Sequence, residues 1–254
     1  MLKYLYMAKS GDNIVEVEHF KMTFGDKKVI KDLSFDVKRG EIFGLLGSNG
    51  CGKTTTIRAL LNLYQPTGGK LLINGEPFKP GREIKVGYLP EERGLYKKES
   101  VIDVMVYFGH LRGLKNAREW SLKYLERVGL GEHAKTKINK LSQGQQQKIQ
   151  LGITVMNDPE LLILDEPTKG FDPVNRRLLM EIIDELHEKG STSIMITHYM
   201  DEVERLCDRI LLLKDGVARA YGSVSEVRKK FGNKSLDQIF IDIYGEKDQE
   251  VNYA

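Results

Sequence analysis

Along the first quarter of the chain, apolar and polar residues alternate in short runs. Ile14-Val15-Glu16-Val17-Glu18 and Leu33-Ser34-Phe35-Asp36-Val37 place every second side chain on one face, which predicts half-exposed antiparallel strands. Further on, the runs become wholly apolar: Ile42 to Leu46, Leu161 to Leu164 and Ser193 to Thr197 predict strands buried on both faces, as in a parallel sheet. Amphipathic stretches of helical length separate them, so an α/β core is expected. Between Leu89 and Met156 the strand signal lapses, and three helices are predicted over Val101 to Arg112, Ala117 to Val128 and Gln143 to Met156. They form a helical insertion in the α/β domain. Asn116 with Glu119 three residues later predicts a capping box at the second of these helices. Arg209 to Lys214 and Val217 to Tyr221, joined by Asp215-Gly216, predict a hairpin.

A chain of 254 residues suits one large domain. The expected division is an α/β core with its antiparallel part over 14–90, a helical subdomain over 91–156, the remainder of the core over 157–231 and a tail over 232–254. Hydrophobic residues make up 41% and charged residues 30%, enough apolar material for a core and too little bias for disorder. No apolar run approaches the ~20 residues of a membrane helix. The polar stretch Ser10 to Glu18 leaves no room for a signal peptide. Two cysteines, Cys51 and Cys207, exclude a disulfide scaffold and point to a reducing compartment. The net charge of +3 arises with Lys27-Lys28, Lys97-Lys98, Arg176-Arg177 and Lys229-Lys230 scattered as solvated pairs. Nucleic acid is therefore not an expected partner.

The chemistry begins at Gly47-Ser48-Asn49-Gly50-Cys51-Gly52-Lys53-Thr54, which matches G-x-x-x-x-G-K-[ST] between a buried strand and a helix expected over Thr54 to Leu63. Polyphosphate is dense in negative charge, and glycines let the main chain bend closely enough to present several N–H groups to it. The helix after the loop adds its positive end. Lys53 would reach the β- and γ-phosphates, and the Thr54 hydroxyl, with Thr55 beside it, would take a position on Mg²⁺. Cys51, inside the loop, is either a reactive thiol whose pKa is lowered by Lys53 and the helix start, or a small residue that fits.

Asp165 and Glu166 end the run Leu161 to Leu164, at the strand edge where open α/β sheets bind ligands. Asp165 would support Mg²⁺, and Glu166 would orient and deprotonate the water that attacks the γ-phosphate. The plainer alternative is that both acids begin a loop and cap the next segment. His198 ends another apolar run, where an imidazole would contact the γ-phosphate or serve structure alone.

Leu141-Ser142-Gln143-Gly144-Gln145 stands about twenty residues before the acid pair and resembles the L-S-G-G-Q signature of the ATP-binding cassette (ABC) family. With the phosphate loop, acid pair and histidine in this order, the resemblance spans about residues 14–231. It implies a P-loop NTPase fold with ATP and Mg²⁺ as ligands. Ser142 with Gln145 also makes an S-x-x-Q capping box, a helix start suited to phosphate or a plain cap. The family pairs two cassettes head to tail, which implies that Ser142, Gln143, Gly144 and Gln145 address the nucleotide of a second ABC subunit. On the same resemblance Phe24 matches the aromatic that stacks on adenine, with a core aromatic as the alternative; stacking favours a purine without choosing ATP over GTP. Lys169-Gly170-Phe171-Asp172 matches the loop after the acid pair. Asp172 also suits an N-cap and Pro173 the first residue of a helix to Lys189.

Two positions depart from the usual pattern. Gln143 replaces the first signature glycine, and Glu91, in Tyr88-Leu89-Pro90-Glu91-Glu92-Arg93-Gly94-Leu95-Tyr96, replaces the glutamine that links Mg²⁺ to the membrane partner. A carboxylate binds Mg²⁺ but donates no hydrogen bond when ionised, leaving metal contact by Glu91 open. Both variants, and the ending Ser235-Leu236-Asp237-Gln238-Ile239-Phe240, resemble the sodium-efflux and antibiotic-resistance exporter branch. This implies an ATP-hydrolysing subunit at the cytoplasmic face of the membrane, driving export through separate transmembrane subunits. A soluble ABC ATPase acting on ribosomes or DNA is the competing class, but such relatives usually carry two cassettes or a long coiled-coil insertion.

Overall fold

The computed structural model describes residues 13–81, 84–92 and 94–245. Cys51 and Cys207 are both buried free thiols. The chain divides into two compact units, one running to Pro80 and resuming at His198, the other spanning Gly81–Thr197.

In the first unit, β1 (Asn13–Phe24) and β2 (Lys27–Lys38) form the expected antiparallel pair, and β4 (Gly68–Ile73) flanks β1. Val15 opposes Val37 and Val17 opposes Phe35, and all four side chains are buried. Their alternation is what commits one face to the core, since a one-residue slip would expose the whole set. The buried strand β3 (Ile42–Leu46) runs parallel to β8 (Arg209–Lys214). β8 turns back antiparallel into β9 (Val217–Ser223). The turn takes left-handed backbone at Asp215 (φ 54°) and Gly216 (φ 76°), the twist that a two-residue hairpin requires. Strand order in this unit is β4-β1-β2-β9-β8-β3. Helix α1 (Lys53–Leu60) comes after β3, starting one residue earlier and ending three earlier than expected. Arg209 ties the antiparallel part to β8 through Asp36 at 3.0 Å and Glu41 at 3.2 Å.

In the second unit, β5 (Val86–Leu89), β6 (Leu161–Asp165) and β7 (Thr192–Ile196) are all parallel. β6 and β7 are buried along their whole length, which is why apolar residues dominate both. Between β5 and β6 lie the three predicted helices, α2 (Val101–Leu111), α3 (Ala117–Arg127) and α4 (Gln143–Val155). Helix α5 (Pro173–Glu188) links β6 to β7. After the unit boundary come α6 (Met200–Leu206), α7 (Val224–Lys230) and α8 (Leu236–Gly245).

One local expectation fails. Asn116 makes no capping hydrogen bond, because its backbone (φ −102°, ψ 36°) leaves the extended region in which a cap side chain reaches back. Glu119 instead pairs with Lys123 at 2.8 Å, one helical turn on.

The α3–α4 contact depends on a close approach. The Tyr124 ring lies so near Gly152 that a Cβ built there would stand 2.4 Å from the ring edge, while the buried Tyr124 hydroxyl donates to the Lys148 carbonyl at 2.7 Å. Gly152→Ala is expected to destabilise the chain by about 1–3 kcal/mol through overpacking, read as a lower denaturant midpoint. An unchanged midpoint would show that the ring moves aside freely.

Candidate functional site

The loop between β3 and α1 carries the phosphate-binding pattern and is built for it. Gly47 is buried while Ser48, Asn49 and Gly50 are exposed, so the loop rises from the core to solvent. Lys53, only 7% exposed, folds its ammonium back to donate to the carbonyls of Gly47 at 2.7 Å and Ser48 at 3.0 Å. These bonds hold the loop in a ring around one positive charge. Gly47 must be glycine because of what surrounds it: a Cβ there would lie 2.5 Å from Cys51 Sγ and 2.6 Å from the Leu213 carbonyl. Gly52 caps α1 with no side-chain bond. Thr54 and Thr55 stand half-buried on the first turn, and Thr56 turns inward to donate to the Gly52 carbonyl at 2.9 Å. A cradle that a Cβ would fill, a captive lysine and a helix start suit a polyphosphate.

The reactive reading of Cys51 is corrected here. Burial is the dominant influence and pushes the thiol pKa up, outweighing the lowering by Lys53. The side chain is 8% exposed and packs beneath Gly47, a small residue that fits.

Phe24, at the end of β1, is 46% exposed, which separates it from the buried core. Its ring meets Tyr64 edge-on at 5.4 Å, and Arg58 donates to the Tyr64 hydroxyl at 3.0 Å. The result is a braced aromatic face. His198 is exposed and packs against Tyr199 with ring centroids 4.3 Å apart.

The second unit carries the acids. Asp165, the last residue of β6, and Glu166 after it are 1% and 6% exposed. Glu166 adopts φ 51°, a left-handed backbone costing a non-glycine residue about 1–2 kcal/mol. The conformation is held by its N–H donating to the Ile196 carbonyl at 2.8 Å and its carbonyl accepting from the Lys169 N–H at 3.1 Å. Strained backbone at a buried acid points to function. Asp172 caps α5 as expected, accepting from the Asn175 N–H at 2.8 Å. Glu91 is engaged by Lys169, ammonium to carboxylate at 2.5 Å. Among the described residues, no three His, Cys, Asp or Glu side chains converge as a metal cage. A Mg²⁺ carried on phosphate needs few protein oxygens, and the Thr54 hydroxyl and Asp165 carboxylate are of the hard-oxygen type it takes.

At the start of α4 the capping box forms in full: Ser142 Oγ accepts from the Gln145 N–H at 3.2 Å, and Gln145 Oε1 accepts from the Ser142 N–H at 2.9 Å. Ser142 and Gln143 are exposed and Gly144 is half-buried. The Gln145 amide also meets His133 Nε2 at 3.3 Å. Sequence reasoning missed what the rest of the glutamine run does. Gln147 reaches the carbonyl of Pro167, next to Glu166, at a long 3.5 Å, and Gln150 donates to the Glu92 carbonyl at 3.3 Å. Only helical periodicity could have hinted at these contacts, since the two residues lie on the inward face of α4.

The predicted residues thus fall into two sets. Phe24, the loop Gly47 to Thr55 and His198 belong to the first unit; Glu91, Ser142 to Gln145, Asp165, Glu166 and Asp172 belong to the second.

Known proteins resemble this chain in sequence and fold. Residues 30–169 match the ABC transporter family model. An ABC transporter ATP-binding protein of Methanocaldococcus jannaschii is 46% identical over 85% of this chain and 80% of its own. The linearmycin resistance ATP-binding protein of Bacillus subtilis is 37% identical over 90% and 75%. Nod factor export ATP-binding protein I of Cupriavidus metallidurans is 37% identical over 84% and 72%. Among solved structures, an ATP-binding subunit of an ABC transporter superposes with TM-score 0.83 at 29% identity, covering 91% of this chain and 99% of that one. The α/β fold is that of a P-loop NTPase, and the chain belongs to the ABC transporter ATP-binding family.

Proposed function

We propose that this chain is the ATP-hydrolysing subunit of an exporter, working at the cytoplasmic face of the membrane through separate transmembrane subunits. The observation that carries the reading is the exposed, fully capped start of α4 at Ser142. A helix start of this kind attracts anions, yet the segment before it, Ala134 to Leu141, carries no glycine-rich phosphate loop. It is half of a site. The other half is the phosphate loop of a second cassette, identical or different, so that two cassettes pair head to tail around ATP.

Each residue then has a task. Phe24 stacks on the purine, and Lys53 exchanges its loop carbonyls for the β- and γ-phosphates. Thr54 and Asp165 hold Mg²⁺, which when bound offsets the phosphate charge. Glu166 takes the proton of the attacking water, and His198 steadies the γ-phosphate. Asp172 shapes the loop that faces the partner cassette. Glu91, paired to Lys169, would reach the cation only by giving up that ion pair. Export as the direction of transport is supported by relatives named for antibiotic resistance and Nod factor export. No helix among the described residues is long and apolar enough to cross a membrane, so transport calls for other subunits. The exposed rings of Tyr96 and Tyr107, 5.8 Å apart, offer one of them an aromatic surface.

The test is what accompanies the tagged chain when it is extracted in mild detergent from cells expressing it natively. A polytopic membrane protein at stoichiometric yield is expected. Ribosomes in its place would overturn the transport reading in favour of a soluble ABC ATPase.

A further inference from the structure

Helix α8 takes no part in the reading above, yet it closes on the phosphate loop. It buries Leu236, Ile239 and Ile243, and its first N–H donates to Glu204 at 3.3 Å. At its other end, Lys214 donates to the Ile243 carbonyl and stands 5.8 Å from the centre of the Tyr244 ring. Phe240 packs against that ring with centroids 4.2 Å apart.

These contacts aim one hydroxyl. Tyr244 Oη donates to the Leu213 carbonyl at 2.6 Å. Gly47 lies in the same corner, where a Cβ would stand 3.2 Å from the hydroxyl. Burial, then the neighbouring Cys51, raises the pKa of this phenol, so it stays protonated and keeps its donor.

We propose that Tyr244 is a positioning residue for nucleotide binding: by bonding the Leu213 carbonyl and packing its hydroxyl into the corner beside Gly47, it keeps the entry of the phosphate loop in its receiving shape. The inference rests on the phosphate loop being the nucleotide site. A loop ordered before its ligand arrives loses less entropy on binding, so the gain appears as affinity. Tyr244 touches no reacting atom in this scheme, and turnover at saturating ATP does not depend on it.

The test compares the full chain with Tyr244→Phe, which removes only the hydroxyl. Ile241→Ala, on the exposed face of α8, and Ile239→Val, which loosens its buried face, are controls. ATP and ADP should bind Tyr244→Phe about five- to tenfold more weakly, the scale of one hydrogen bond, with KM raised and kcat within about twofold, because the lost contact is one made before chemistry. Alkylation of Cys51, mapped by mass spectrometry, should speed up in Tyr244→Phe while that of the other thiol, Cys207, does not. Ile239→Val should lower the melting temperature without weakening ATP binding to that extent. Unchanged ATP affinity in Tyr244→Phe would overturn the proposal. So would equal acceleration at both thiols, or the same loss in Ile239→Val, because each marks general loosening. A wild-type chain that binds no ATP would overturn the nucleotide-site reading itself, and the proposal with it.

Discussion

Glu166→Gln is expected to lower ATP turnover by about 10²- to 10⁴-fold, the usual contribution of a general base, and to leave ATP binding close to wild type. The amide has the shape of the carboxylate, so the 6% exposed side chain keeps its packing, and the left-handed backbone at φ 51° is held by main-chain bonds that the substitution does not touch. What disappears is the capacity to accept a proton. Phosphate release should fall while nucleotide stays bound, and the variant should accumulate as ATP-loaded pairs on size-exclusion chromatography. Turnover at the wild-type rate would remove Glu166 from the role of base. Loss of binding together with turnover would make it a structural acid instead.

Lys53→Ala has the second large effect, and it acts one step earlier. The ammonium is almost fully buried and already holds the Gly47 and Ser48 carbonyls, so the charge is fixed inside the loop before any nucleotide arrives. Hydrogen bonds from a charged donor contribute about 1.5–3 kcal/mol each, and losing two of them to phosphate weakens ATP on the order of a hundredfold or more. Lys53→Arg should rescue little, because a planar guanidinium does not fit a pocket shaped for a compact ammonium. Titration calorimetry with ATP and with ADP measures both variants. Affinity within a few-fold of wild type in Lys53→Ala would show that the backbone amides alone carry the site.

These two substitutions separate binding from chemistry in a way that bears on transport. Loss of Lys53 leaves a chain that cannot load, and loss of Glu166 one that loads and does not reset. In a transporter assembled with membrane subunits, the first is expected to bind its partner normally and move nothing. The second is expected to lock one conformation.

Much of the site was legible because its signals are local. The run Gly47 to Thr54 describes its own geometry: glycines where the chain must pass close to other atoms, a lysine long enough to fold back, a helix after it. Ser142 with Gln145 and Asp172 with Pro173 are likewise complete within four residues, and the structure forms both caps. The same local logic failed at Asn116, whose backbone lies outside the extended region that a cap side chain needs. It failed again at Cys51, whose neighbour Lys53 is evident in sequence but whose burial is not, and burial wins. The bonds from Gln147 and Gln150, the brace of Tyr64 behind Phe24, and the Lys169–Glu91 ion pair left no sequence signal beyond a polar residue on a given face.

The type of the elements over Ile14 to Leu46, the three helices between Val101 and Met156, the buried strands and the turn of the phosphate loop came from the chain itself; β4 and α6 to α8 did not. Periods of two, unbroken apolar runs and glycine spacing act on neighbours a few residues away, where covalent geometry limits the choices. Only the tertiary structure decided which distant groups close on that turn. Tyr244 meets Leu213 and the Gly47 corner because α8 buries Leu236, Ile239 and Ile243 and so delivers its last turn there. Burial and hydrogen-bond partnership depend on through-space neighbours, which packing alone brings together.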